Sequence, residues 1–353
     1  MAPVIRELGR PGAPFEHVVV TTAQHREMLD QVLSVFDIKP DVDLGLMKHD
    51  HGLADFASRS ISALSNLLSE LKPDAILIQG DTTTVMTAAL SGFYLGVRVG
   101  HVEAGLRSFD RRNPFPEEIN RRITTCLADM HFAPTQRARD NLLQEGVLDG
   151  NIYVTGNTIV DALMSIDTEG GFDDASLSRV DFERKRVILV TAHRRENHGA
   201  PLRALCGAIK TLAGMFEDIE IIYPVHLNVN VSRLARAELS GTARVHLLEP
   251  LSYTDLLRLM ARCHSILTDS GGIQEEAPSF HKPVLVLREV TERPELIETG
   301  GGKVIGVEEG RIVEEAARLL TDSSEYERMS AALNPFGDGH AARRIAGILA
   351  QRV

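Results

Sequence analysis

Short apolar runs alternating with helix-length amphipathic stretches limit this sequence to few architectures. The runs read as strands fall at residues 16–22 (EHVVVTT), 74–79 (DAILIQ), 97–102, 130–133 and 152–155. They resume at 186–191, 220–223, 244–248, 264–268, 284–287 and 303–305. Between them, helical periodicity marks 3–8, 24–36, 53–71, 83–94, 117–129, 136–144, 201–215, 254–262, 311–320, 324–332 and 341–351. In the long stretch 53–71, Phe56, Ile61, Leu64, Leu67 and Leu68 sit near helical spacing. Strands that are apolar throughout, rather than alternating, are buried on both faces, and strand–helix alternation then implies parallel sheets covered on both sides. The expected fold is α/β, with two doubly wound Rossmann-like domains facing a cleft. The polar stretch 167–179 (DTEGGFDDASLSR) is the best linker between them. One detail is out of pattern: the first element is a helix, where a doubly wound domain normally opens with its central strand.

The chain has 353 residues, a length that favours two domains. Its net charge of −11 argues against nucleic-acid or membrane-surface binding, whose footprint is basic. There is no run of ~18 apolar residues and no charged-then-apolar leader pattern, so a cytoplasmic protein is expected. Cys126, Cys206 and Cys263 are widely spaced, in apolar contexts, with no metal or redox spacing.

In parallel sheets, functional groups collect at the C-terminal ends of strands. Asp81, Glu103, His193 and Asp269 all follow strand ends. Each alone is more often a helix cap or a satisfied buried polar group, and Asp81 in particular suits a cap ahead of the helix at 83–94. Four at strand ends favour a functional cleft more than any one does. After Asp269, Ser270-Gly271-Gly272 open a short helix, a strand–glycine–helix order that suits an anion. Glu275 and Glu276 then either complement the helix dipole or accept hydrogen bonds from sugar hydroxyls. The loop 109–118 (FDRRNPFPEE) reads first as a solvated loop with first-turn acids. Arg121, Arg122, Arg194 and Arg195 suit a diphosphate, although a surface ion pair is the commoner fate. His226 ends another strand, and no P-loop, zinc ligand set or Ser/His/Asp arrangement appears.

The stretches QGDTTT (79–84), GHVEAGLRS (100–108), NPFPEEINRR (113–122), VTGNTIVDAL (154–163), TAHRREN (191–197), YPVHLN (223–228), LTDSGGIQEEAP (267–278), VLVLREVTERPE (284–295) and NPFGDGHAARRI (334–345) together resemble the non-hydrolysing UDP-N-acetylglucosamine 2-epimerases. The resemblance implies the glycosyltransferase-B type of fold, with domains at 1–165 and 166–335 and a last helix, 336–353, crossing back to the first. It implies interconversion of UDP-N-acetylglucosamine and UDP-N-acetylmannosamine without a metal or NAD, by elimination of UDP to 2-acetamidoglucal and re-addition. Asp81, Glu103, Glu117 and His193 match the catalytic positions. Arg121, Ser270, Gly271, Gly272 and Glu276 match substrate-binding positions: the serine and glycines for phosphate, Glu276 for ribose. Gln24, His25 and His226 match a second, regulatory substrate site, and a homodimer is implied.

Family members also carry a strand and an Arg- and Lys-bearing loop ahead of the position matching Met1. The expectation is a natural chain about 15 residues longer, since five buried strand residues are worth on the order of 5–10 kcal/mol. An intact mass of 38.7 kDa from the source organism would refute it. Two other readings compete: a hydrolysing epimerase or glycosyltransferase, and a catalytically silent UDP-sugar binder.

Overall fold

The computed structural model describes residues 1–22, 26–46, 52–194 and 197–353. The chain divides into two compact units, Met1–Ser165 with Phe336–Val353, and Ile166–Pro335. Every pairing between strands is parallel.

In the first unit, β1 (Val20–Thr21) and β2 (Val42–Asp43) pair with each other. β3 (Ala75–Gln79), β4 (Arg98–Val102), β5 (Met130–Ala133) and β6 (Ile152–Val154) form a four-stranded sheet in chain order. The strand expected at 16–22 shrinks to two residues. Val18 is 48% exposed and Val19 N–H donates to the Asp41 side chain, so the run leaves the ladder ahead of residue 20. The helix Leu53–Leu71 buries Phe56, Ser60, Leu64 and Leu68 on one face. Ser60 meets Thr87 of the helix Thr83–Leu95 through their hydroxyls at 2.7 Å.

The C-terminal helix Ala341–Arg352 belongs to this unit. Its Ala342, Ile345 and Leu349 share one core with Val4, Val102, Met130 and Phe132. Its entry is fixed by Asp161, whose carboxylate accepts from Ala341 N–H at 3.1 Å and Ala342 N–H at 2.8 Å. A helix N-terminus leaves such amides without intrahelical partners, and Asp161 satisfies them from another segment. Burial pushes the Asp161 carboxyl above its ordinary range, and the two amides work in the opposite direction. Asn157 N–H donates to Phe336 O at 2.6 Å beside them. The motifs at 154–163 and 334–345 are thus one structural clasp.

In the second unit, β7 (Arg186–Thr191), β8 (Ile219–Pro224), β9 (Val245–Leu248), β10 (Ser265–Thr268), β11 (Val284–Val286) and β12 (Gly302–Val304) lie in the order β12-β11-β10-β7-β8-β9. From β7 the chain builds outward through β8 and β9, returns to the other side at β10, and builds outward again. The reversal between β7 and β10 is a topological switch point, where helices leave in opposite directions and open a crevice at the strand ends. Ile188, Val190, Ile221, Tyr223, Leu267 and Leu285 belong to one buried core cluster of this unit.

Two sequence readings change here. The stretch 167–179, read as a linker, is tied down within the second unit. The Asp255 carboxylate accepts from Asp173 and Asp174 N–H, while Arg262 donates to Glu169 and Gly170 carbonyls and lies over the Phe172 ring. Its polar residues make turns, not slack. The stretch Val229–Leu239, to which the sequence reading gave no element, is a helix. Its buried residues Val231, Ala235 and Leu239 keep helical spacing, and the Asn228 side chain caps it.

Candidate active site

In the first unit, Asp81 and Glu103 leave the ends of the adjacent strands β3 and β4. Asp81 is not the helix cap: the Thr82 hydroxyl accepts from Val85 N–H and caps Thr83–Leu95, leaving the Asp81 carboxylate for other partners. That carboxylate pairs with Arg121 Nη2 at 2.5 Å, and the Asp81 carbonyl accepts from Asn120 Nδ2 at 2.9 Å. Gly80 reaches this turn with φ of 84°, in the region glycine enters without steric cost. His101 Nε2 lies 2.8 Å from the Gly80 carbonyl and braces the turn from below. Burial drives the His101 imidazole down to about 3, so it stays neutral there.

Glu103 itself has φ of 66°, a left-handed backbone that costs a non-glycine residue about 1 kcal/mol or more and marks functional positions. Gln79 Nε2 donates to Glu103 Oε2 at 3.3 Å, and a Cβ added at Gly80 would lie 3.9 Å from the same oxygen. Glu103 and the Asp81 turn therefore adjoin. The helix Glu117–Leu127 supplies the third acid. Its first two residues diverge. Glu118 is buried, accepting from Ser108 N–H, Phe109 N–H and Arg121 Nη1, and so anchors the loop that precedes the helix. Glu117 is half-buried, and among the described residues no hydrogen bond or ion pair engages its carboxylate. Arg121, which sequence reasoning put with the nucleotide, bridges Asp81 and Glu118 in this unit.

In the second unit the switch point is occupied. Asp269, fully buried at the end of β10, accepts from His193 N–H at 3.0 Å, Arg194 N–H at 3.0 Å and Asn197 Nδ2 at 2.9 Å. His193 Nδ1 lies 3.4 Å from Asp269 Oδ1, and the His193 ring stacks on His226 with centroids 5.5 Å apart. Burial lowers the His193 pKa; Asp269 opposes this, and His226 and Arg194 add to it. Gln24 and His25, grouped with His226 in the sequence reading, lie outside the described residues, as does Arg195.

Ser270 opens the helix Gly271–Glu276 and makes no side-chain cap to it. A Cβ on Gly271 would lie 3.7 Å from Arg194 Nη2 and 3.9 Å from Arg293 Nη2, so glycine leaves the space beside two guanidiniums open. Glu292 binds this group together, 3.4 Å from Arg194, 3.5 Å from Arg288 and 3.9 Å from Arg293. Burial raises its pKa, but the three arginines outweigh that and hold it below the ordinary range. Arg288, Glu292 and Arg293 were missed as site residues; their signal was the stretch 284–295, quoted for its likeness alone. The glutamate pair also separates. Glu275 is ion-paired with Arg293 Nε, whereas Glu276, 8% exposed, accepts from the Tyr253 hydroxyl at 3.1 Å. Burial raises the Glu276 carboxyl to about 7; Tyr253 counters and Glu275 reinforces the rise.

The first unit thus brings the carboxylates of Asp81 and Glu103 to adjoining strand ends and leaves that of Glu117 unengaged among the described residues, and the second collects guanidiniums beside an open glycine turn that suits an anion. The family model for UDP-N-acetylglucosamine 2-epimerase matches residues 9–350. The chain is 49% identical to the UDP-N-acetylglucosamine 2-epimerase of Bacillus subtilis (strain 168) over 345 residues, covering 98% of this chain and 90% of that protein. It is 48% identical to the enzyme of that name from Escherichia coli O157:H7 over 352 residues, covering 98% and 93%. The crystal structure of UDP-GlcNAc 2-epimerase from Neisseria meningitidis bound to UDP-GlcNAc superposes with a TM-score of 0.88 at 43% identity, covering 99% of this chain and 96% of that one.

Proposed function

The chain belongs to the UDP-N-acetylglucosamine 2-epimerase family, and on that footing we propose which of its residues carry the reaction. The protein is an isomerase of the non-hydrolysing type, epimerising UDP-N-acetylglucosamine at C2 to UDP-N-acetylmannosamine.

The C2 proton of the sugar is weakly acidic, so cleavage of the C1–O bond must run ahead of its removal. As the bond pair leaves on the UDP β-phosphate oxygen, positive charge grows on the ring, and neighbouring carboxylates stabilise it. One carboxylate then takes the C2 proton, and the C–H pair becomes the C1–C2 double bond of 2-acetamidoglucal. Return of a proton to C2 from the opposite face, with attack of the phosphate oxygen on C1, gives the epimer. Asp81, Glu103 and Glu117 are proposed as the acid–base set, and His193 as the group that stabilises the departing diphosphate or relays a proton. The observation that carries this is Glu117, a half-buried carboxylate with no partner among the described residues, opening a helix whose next residues tie Asp81 in place. Ser270, Gly271 and Gly272 are proposed to receive the diphosphate beside Arg194 and Arg293, and Glu276 the ribose. Arg121 is proposed to act at the sugar end, supported by its ion pair with Asp81.

The proposal extends to three further points. His226, stacked on His193, belongs to a regulatory substrate site that acts through that contact. A homodimer is favoured by the exposed apolar end of the helix Thr83–Leu95, at Phe93, Tyr94 and Leu95. The cytoplasm is favoured by three free cysteines, which suit a reducing compartment.

Incubation with UDP-N-acetylglucosamine in deuterated water tests the catalytic set. Wild-type protein is expected to place deuterium at C2 of both recovered nucleotide sugars. Glu117→Gln and Asp81→Asn should lower that exchange by about 100-fold or more, the scale of general acid–base catalysis. Exchange undiminished in either variant removes that residue from the set.

A further inference from the structure

We propose that Tyr253 is the positioning residue for ribose recognition, acting through Glu276. This rests on the nucleotide reading above. Glu276 presents a burial problem that one residue only partly solves. A carboxylate offers about four acceptor sites, and among the described residues the Tyr253 hydroxyl is the one donor to it. Unlike Glu275, it pairs with no arginine among the described residues. A carboxylate 8% exposed with so few donors is costly to ionise, and what would satisfy it is a group bringing two neutral O–H donors at once. A vicinal diol does so, whereas a single hydroxyl brings one donor only.

Tyr253 is placed for this task by its own local structure. It is the first residue of the helix Tyr253–Arg262, and Ser252 caps that helix by accepting from Asp255 N–H at 3.1 Å. The cap fixes the first turn, and with it the direction of the phenol. The hydroxyl takes Glu276 Oε1 from one side and thereby sets the plane of the carboxylate. The lone pairs left over then point together rather than over a range of side-chain rotations. Such pre-orientation raises affinity by removing an ordering cost from the binding step. Tyrosine suits the position because its ring fills a half-buried site while its single donor is directed by two torsions.

The test is a cycle of two proteins and two ligands, wild type and Tyr253→Phe with UDP and 2′,3′-dideoxy-UDP, read by titration calorimetry at pH 8. The phenylalanine keeps the ring and removes the donor. Wild type is expected to bind UDP at least tenfold more tightly than the dideoxy ligand. Tyr253→Phe should weaken UDP by about 3- to 10-fold, the range for loss of one hydrogen bond, and leave the dideoxy ligand within twofold. Equal weakening of both ligands, or of neither, overturns the role of Tyr253 while leaving Glu276 at the ribose. If wild type binds the two ligands equally, the ribose assignment of Glu276 fails, and the inference with it.

Discussion

Replacing Asp269 with asparagine removes one oxygen from the point where the switch crevice is held together. The native carboxylate accepts from His193 N–H, Arg194 N–H and Asn197 Nδ2 at 2.9–3.0 Å, with no solvent exposure. The amide has the same shape, but its Nδ2 turns a donor toward donors. All three donors lie within 3.0 Å of the single oxygen Oδ2, whose place the amide oxygen can take, so each bond falls from the charged to the neutral range, a loss of about 1 kcal/mol apiece. The expected destabilisation is therefore about 3 kcal/mol, a large share of the ~5–15 kcal/mol that holds a typical domain. The chain has no tryptophan, so far-UV circular dichroism in urea is the suitable reading, with UDP present and absent. A second reading separates local from global effects. Asp269 raises the His193 pKa against burial, so in the variant His193 should titrate at still lower pH by nuclear magnetic resonance. A urea midpoint equivalent to less than about 1 kcal/mol from wild type, with an unchanged His193 titration, would falsify the claim that this carboxylate holds the loop.

Three further outcomes are expected. Asp161→Ala strips the acceptor from Ala341 and Ala342 N–H and should cost about 1–2 kcal/mol; limited proteolysis should then cut near the start of the last helix sooner, and an unchanged cleavage pattern would count against the clasp. His101 and His131, held by burial at about 3 and about 4, sit below the ordinary 6.5, so the stability they contribute is complete above pH 6.5 and is lost as pH falls toward the folded values. Each should lower stability by up to about 1.4 kcal/mol per pH unit in that window, and a urea midpoint that does not move between pH 6.5 and 5 would exclude this. Glu276, raised to about 7, carries its proton increasingly below that pH and then accepts fewer hydrogen bonds. The preference for UDP over dideoxy-UDP should therefore shrink from pH 8 to pH 6; taking a ratio cancels the titration of the shared diphosphate.

Much of the architecture was readable without coordinates, because it rests on local pattern. Apolar runs such as 186–191 and 264–268 are buried on both faces, and that alone requires parallel neighbours covered by helices. The helix Leu53–Leu71 declared itself by spacing. At Val229–Leu239 local pattern shows no element, because the burial repeat of Val231, Ala235 and Leu239 is thinly spread among polar residues. At the strand ends, the presence of Asp81, Glu103, His193 and Asp269 was legible, since topology sends functional groups there.

What each of those groups does was decided by residues far along the chain. Glu117 and Glu118 are neighbours, and so are Glu275 and Glu276. Successive residues on a helix point about 100° apart, so the two side chains of each pair meet different neighbours, and sequence offers no sign of which. Ser108, Phe109 and Arg121 claim Glu118, leaving Glu117 to the substrate side. Arg293 claims Glu275, leaving Glu276 to Tyr253. The sequence supplied the acids in pairs; packing brought a cation or a row of amides to one of each and left the other with lone pairs to spare.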